Sequence, residues 1–276
     1  KRQLRHQPSF IMRIFSINIL LWLSLISLSA FAQKNDKSGL NYGVKIGCLW
    51  ADKSEAKLYY AGAKENFKLN NILISNSTNY TKLKEYYNDD FSISEQPHDA
   101  KYKSAIAIGA TLRYNFSETF GLFINGTYLS PTITNCAFSI KLKSKSTSTS
   151  NNVVEYGAIT GKETRFDLDL GVHKTFAGSS PYAPYIEAAL SGSFLKMKTN
   201  EVVIGNLTQS ILYYSNDEAN NTFSKFGYGA TVEGGLQIPL AQKFMLYTGL
   251  KLAAVHYGIF DNTFSLAKMI DLTIIL

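Results

Sequence analysis

The sequence predicts an all-β protein: an eight-stranded antiparallel transmembrane β-barrel with short periplasmic turns and long external loops. Three observations predict it. Apolar and polar residues alternate with a period of two in eight separate segments. The connections between those segments alternate between short and mostly long. The chain begins with a stretch that reads as an export signal. Composition agrees, because 45% hydrophobic and 18% charged residues with two Cys and six Pro in 276 residues exclude collagen, a disulfide scaffold and a wholly disordered chain.

Lys1, Arg2, Arg5 and Arg13 give the N-terminus a basic start, residues 14–28 are mostly apolar, and Ala30-Phe31-Ala32 offers small residues for cleavage. Residues 1–32 are therefore expected to be a removed signal peptide, leaving residues 33–276 as one barrel domain. The apolar stretch is short against the ~20 residues of a membrane helix, and no Cys follows Ala32 to carry a lipid. Removal takes four bases and no acids, which leaves 24 Lys+Arg against 21 Asp+Glu. So weak an excess, spread along the chain, is no nucleic-acid footprint.

In the first segment, residues 40–50, Leu40, Tyr42, Val44, Ile46, Cys48 and Trp50 face one way and Asn41, Gly43, Lys45 and Gly47 the other. The second sets Ile106, Ile108, Ala110, Leu112 and Tyr114 against Gly109, Thr111 and Arg113. After a turn at residues 115–119, the third sets Phe120, Leu122, Ile124 and Tyr128 against Gly121, Asn125 and Thr127. The fourth has the cleanest alternation, with Phe166, Leu168, Leu170 and Val172 opposite Arg165, Asp167, Asp169 and His173. A turn at residues 175–180 leads to the fifth, residues 182–194, where Pro181 and Pro184 at its entry cost no essential ladder donor. The sixth sets Tyr228, Ala230, Val232 and Leu236 against Gly227, Gly229, Thr231, Glu233 and Gly235; the seventh follows a turn at residues 238–242 with Phe244, Leu246, Leu250 and Leu252 against Tyr247, Gly249 and Lys251. The eighth sets Ile270, Leu272, Ile274 and Leu276 against Asp271 and Thr273. The opposite ends carry loops at residues 51–103, 132–162, 196–224 and 259–265.

Parity alone does not say which face points inward, so a soluble exported barrel with an apolar interior for a small apolar ligand stands as an alternative. Segment length favours the membrane, since ~9–11 tilted residues cross a bilayer. So do the aromatics near segment ends, where interfacial girdles form. The other face collects both signs of charge, and a lumen charge network of Lys45, Arg113, Arg165, Asp167, Asp169, Glu187, Glu233, Lys251 and Asp271 is expected to pair across a narrow interior. His173 is placed in that network beside Asp169. Cys48 and Cys136 read as two small apolar residues rather than a bridge.

Asn41-Tyr42-Gly43-Val44-Lys45-Ile46-Gly47, Ser180-Pro181-Tyr182-Ala183-Pro184-Tyr185 and Phe226-Gly227-Tyr228-Gly229 through Gly234-Gly235-Leu236 are the segments in which the chain resembles a known family. It is similar over most of residues 39–276 to the bacterial outer-membrane protein β-barrel domains, the porin-like or OmpA-like small barrels. The resemblance implies a place in the Gram-negative outer membrane, contact with its lipid, and insertion by the barrel-assembly machinery. Members commonly end on an aromatic residue, whereas this chain ends on Leu276.

No Gly-x-Ser-x-Gly elbow, His-Glu-x-x-His, Cys-x-x-Cys or phosphate loop occurs in the sequence. His98 with Asp89, Asp90 or Asp99 in the first loop is the one grouping that invites a catalytic reading, and its spacing does not force the residues together. No catalytic, cofactor or metal site is therefore expected. The first loop holds Tyr59, Tyr60, Phe67, Tyr80, Tyr86, Tyr87 and Phe91, suited either to partner contact or to packing on itself, with room for strand extensions or a short helix near residues 78–88. Residues 141–152 are low-complexity and read as a loop tip. These features predict a monomeric, non-enzymatic barrel that stabilises the envelope or presents loops to an external protein or surface ligand. A narrow pore or a transport or secretion-associated barrel is the alternative within the membrane.

Overall fold

The computed structural model describes residues 39–56, 59, 69–97, 100–134, 136–143, 153–176, 182–210, 224–241, 244–258 and 264–276. The expected signal peptide lies outside the described residues, as do the loop tip at residues 144–152 and the turn at residues 177–181.

Chain order runs β1 (Gly39–Trp50), α1 (Lys53–Ala56), a π-helical turn (Asn71–Ser75), α2 (Ser77–Tyr87), β2 (Phe91–Glu95), β3 (Lys101–Tyr102), β4 (Ala105–Asn115), β5 (Phe120–Leu129), β6 (Ile133–Thr134) and β7 (Ala137–Leu142). It continues through β8 (Val154–Thr175), β9 (Ala183–Ile204), β10 (Leu207–Ser210), β11 (Ser224–Ala241), β12 (Phe244–His256) and β13 (Ser265–Ile275). Eight of these close an antiparallel ring in the order β1, β4, β5, β8, β9, β11, β12, β13 and back to β1. At the closure Val44 opposes Ile274 on one side and Ala110 on the other. The predicted eight-stranded barrel is the fold observed, and closure satisfies the backbone groups that an open sheet would leave at its edges.

The wall is apolar outside and polar inside. Val44, Ile46, Ile106, Leu168, Leu170, Val232, Leu250 and Leu272 are all exposed, and Leu190 is 74% exposed. A water-soluble barrel has the opposite polarity, so the soluble alternative with an apolar interior is corrected here. Outward aromatics form two rows, one through Trp50, Tyr128, Phe166, Phe194 and Tyr228 and the other through Tyr114, Phe116, Phe120, Phe176 and Phe244. Phe166 and Phe176 stand ten residues apart on one strand and its end, about 33 Å along the strand and ~25 Å along the barrel axis at a ~40° tilt. That matches the ~25 Å apolar band of outer-membrane barrels.

Two strands are longer than the alternation predicted. β8 and β9 run to Val154 and Ile204, so the loops expected at residues 132–162 and 196–224 are partly a hairpin that continues past the aromatic row. The alternation persists there with its polarity reversed. Ile159, Met197, Val202 and Ile204 are buried on the inner side, while Thr160, Lys162 and Lys198 are exposed on the outer. A wall that faces lipid below becomes a sheet that faces water above, and a search for outward apolar residues stops at that boundary. The turn expected at residues 238–242 is also shorter, because Ala241 already opposes Phe244, with a register shift between Pro239 and Ala241.

On the inner side of the extended hairpin the outer loops build a cap. β2 pairs with β7, β7 pairs with β8, and β10 pairs with β9. The first loop, expected to hold strand extensions or a short helix near residues 78–88, supplies α1, the π-helical turn, α2, β2 and β3. Asn76 caps α2 by accepting from the Asn79 amide, and Asn88 closes it in the left-handed conformation (φ 49°). Asn79, Leu83 and Tyr87 recur at four-residue spacing and are the buried residues of α2. Leu83 and Tyr87 join Leu73, Phe91, Phe138, Ile140, Ile159, Val202 and Ile204 in one apolar core. The aromatic first loop therefore packs on itself and on the hairpin.

Candidate functional site

Two neighbouring places hold the polar chemistry: the lumen and the seam where the cap meets its outer mouth. Period-two geometry puts Lys45, Arg113, Arg165, Asp169, Glu187, Glu233, Lys251 and Asp271 inside the barrel, each at most 5% exposed, and leaves Asp167 half-buried. Lys45 Nζ donates to Glu233 Oε2 at 2.9 Å and lies 2.6 Å from Asp271 Oδ2, a charge contact off the hydrogen-bonding direction. Tyr185 donates to the other oxygen of Glu233 at 2.6 Å. Arg113 pairs with Glu187 and lies 4.0 Å over the Tyr247 ring. Lys251 pairs with Asp169, to which Ser191 also donates at 2.7 Å. Gly249 leaves the space this layer occupies, since a Cβ there would lie 2.9 Å from Glu233 Oε1.

His173 lies in the interior network, with a different carboxylate beside it from the one expected. Its Nδ1 lies 3.1 Å from Glu187 Oε1 and its Nε2 lies 2.8 Å from Thr175 Oγ1, so its carboxylate partner is Glu187 and not Asp169. Cys48 and Cys136 are both free thiols.

Apolar side chains close both ends of the polar layer. Tyr185, Tyr247 and Ile275 pack together at the end carrying the described terminus of β13. Leu49, Ala107, Leu129 and Met269 pack at the outer end, beside Leu195, Val255 and Tyr257. Between the outer plug and the ion pairs a cavity of about 30 Å³ remains, lined by Glu55, Arg165, Asp167 and Lys251 among others. That is room for a water or two.

The seam centres on Arg165, which sequence reading placed in the lumen without its partners. The guanidinium pairs with Glu163 on its own strand and with Glu55, carried in by α1. Tyr59 and Tyr102 both donate to Glu163 Oε2, at 2.9 and 3.0 Å. The cap thus reaches into the barrel through a buried acid and a buried tyrosine. Burial is the largest influence on Glu55 and holds its carboxyl above the ordinary range, with Arg165 opposing. Glu163 was legible two residues before Arg165, on the same inward parity; Glu55, Tyr59, Tyr102 and Tyr257 reach the seam through loop geometry that parity does not encode. Elsewhere on the cap, Lys84 and Tyr80 hold Asp90 at 2.8 and 3.0 Å and draw its carboxyl below the usual range. Of the grouping of His98 with Asp89, Asp90 or Asp99, residues 98 and 99 lie outside the described residues.

No family model matches the chain, and no curated protein matches it. Solved structures similar to it include Neisserial surface protein A, 10% identical over 86% of this chain and 98% of that one, with a TM-score of 0.42. OprG from Pseudomonas aeruginosa is 10% identical over 87% and 97%, with a TM-score of 0.40. Ail, the attachment invasion locus protein of Yersinia pestis, in complex with the heparin analogue sucrose octasulfate, is 10% identical over 87% and 99%, with a TM-score of 0.37.

Proposed function

We propose that this chain is a bacterial outer-membrane β-barrel with a filled, ion-paired interior, and that it works without enzymatic activity by presenting a folded cap for contact outside the cell. One observation carries the reading: a barrel apolar outside and charged inside is stoppered at both ends and continues on one side into a cap with its own core. The apolar wall with two aromatic rows gives the membrane placement. The stoppers and tight ion pairs oppose the pore and transport alternatives. Lys45, Arg113, Arg165, Asp169, Glu187, Glu233, Lys251 and Asp271 are engaged in ion pairs and Asp167 accepts from Ser193, which fits a structural role for all nine. The cap has a buried core of its own and so offers a defined surface, as recognition elements on a scaffold do.

Two measurements on the full chain test this. Cell fractionation followed by electrophoresis with and without boiling should give a heat-modifiable band in the outer membrane. Reconstitution into planar bilayers should give no stepwise conductance. A soluble exported product would overturn the membrane reading, and stable unit channels would overturn the filled lumen.

A further inference from the structure

The wall just outside the upper aromatic row carries a group of cations that the ion-paired interior does not use. On the outward face of β8 and β9, Phe166 opposes Phe194, Thr164 opposes Lys196, and Lys162 opposes Thr199. The register shifts between Lys162 and Glu163, so that Lys198 is an extra residue with no partner opposite it. Such a bulge re-aims a side chain, and here it leaves Lys162 and Lys198 exposed and Lys196 half-exposed on one face. The row continues sideways, since Thr132 bridges to Lys162 and accepts from the Lys103 amide, and Lys103 is exposed. Neighbouring segments lie ~4.8 Å apart, so the adjacent β8 and β9 bring Lys162, Lys196 and Lys198 within reach of a single phosphate-bearing headgroup, with Lys103 two segments farther along the row. The acid on the same face, Glu201, opposes Thr160 two positions farther from the aromatic row.

We propose that this lysine group binds the phosphate of a phosphorylated lipid packed against β8 and β9, the acyl chains lying on Phe166, Phe194 and the leucines below them. The inference rests on the membrane reading above. Placement decides the source of the phosphate: the cations sit two to four residues beyond outward phenylalanines, where a headgroup lies when its chains cover that wall. A soluble polyanion would gain nothing from those rings.

The test uses the full chain and the variant K162Q/K196Q/K198Q, both folded in zwitterionic micelles and checked for heat-modifiability. Each is then titrated with phosphatidic acid, with diacylglycerol of the same chains, and with free glycerol phosphate, and the unfolding temperature is read. Phosphatidic acid should stabilise the wild type, diacylglycerol and glycerol phosphate should not, and the variant should respond with about 100-fold weaker apparent affinity, as three interfacial lysines imply. Equal responses of two heat-modifiable proteins to phosphatidic acid would overturn the site and leave the barrel standing. Stabilisation by glycerol phosphate at the same concentration would overturn the lipid as the source. A wild type with no heat-modifiable form would overturn the membrane reading and this site with it.

Discussion

Glu187→Ala probes the interior most sharply, because it strands a buried cation. Glu187 is the carboxylate partner of both Arg113 and His173. Without it the Arg113 guanidinium keeps only the Tyr247 ring at 4.0 Å, while its Nε and Nη1 already lack partners. Breaking one side of a buried ion pair costs about 3–5 kcal/mol, and a desolvated cation–π contact returns ~2 kcal/mol at most, a contact the wild type already has. The expected loss is therefore the full ~3–5 kcal/mol. The double variant Arg113→Met with Glu187→Leu removes both charges and keeps apolar volume, so it should recover at least ~2 kcal/mol of that loss even though His173 still lacks an acceptor. The assay is urea unfolding of the full chain folded into phosphatidylcholine vesicles, followed by loss of the fast-migrating unboiled band. A single-variant cost below ~1 kcal/mol is what a solvated pair gives. That result, or a double variant no more stable than the single, would refute a dry interior and make the lumen an aqueous channel.

Other expectations follow from the cap. A Cβ at Gly161 would run into the Tyr59 ring, so Gly161→Val should expel Tyr59 from Glu163 at a cost of about 1–3 kcal/mol. Limited proteolysis between β1 and β4 should then speed up while the unboiled band is unchanged; loss of the band as well would mean that the cap and barrel are one unit. Asp90 has a carboxyl drawn below its usual range by Lys84 and Tyr80, so its contribution is present above the ordinary carboxylate range and is lost as pH falls through its lowered value. Hydrogen exchange in α2 should rise on acidification in the wild type, and Asp90→Asn should show the faster exchange already at neutral pH. A pH-independent α2 would remove that role. Asn88 holds φ 49° at the end of α2, so Asn88→Val should destabilise α2 by ~1 kcal/mol or more and Asn88→Gly should be nearly neutral, read by the same exchange.

What the sequence made legible and what it hid divide at the membrane boundary. Period-two alternation of Leu168 and Leu170 against Asp167 and Asp169 is dictated by strand geometry, and a wall one residue thick must put one set in lipid and the other inside. All nine charges lie on the inner parity of their strands. The rule was silent on partners, because Lys45 reaches Glu233 from 188 positions away and Arg113 reaches Glu187 from 74. Beyond Glu163 the alternation survives but lipid gives way to water and the buried cap core, so the same pattern carries the opposite polarity. Ile159, Met197 and Val202 then look like loop residues to a search tuned for the membrane. The cap itself is made by aromatic residues meeting across loops, and only α2, with Asn76 before it and Asn88 after it, announced itself locally.

The polarity of the wall and its reversal are the core of this account, and spin labels read both directly. With Cys48 and Cys136 replaced by Ala, nitroxides placed one at a time at Phe166, Leu168, Leu170 and Val172 on β8, and at Thr160 and Lys162 beyond the boundary, would be measured in lipid bilayers against oxygen and a water-soluble nickel chelate. The four lower positions should collide with oxygen and not with nickel, and the two upper ones should collide with nickel. Nickel access at Leu168 and Leu170, equal to that at Thr160, would contradict the wall's polarity.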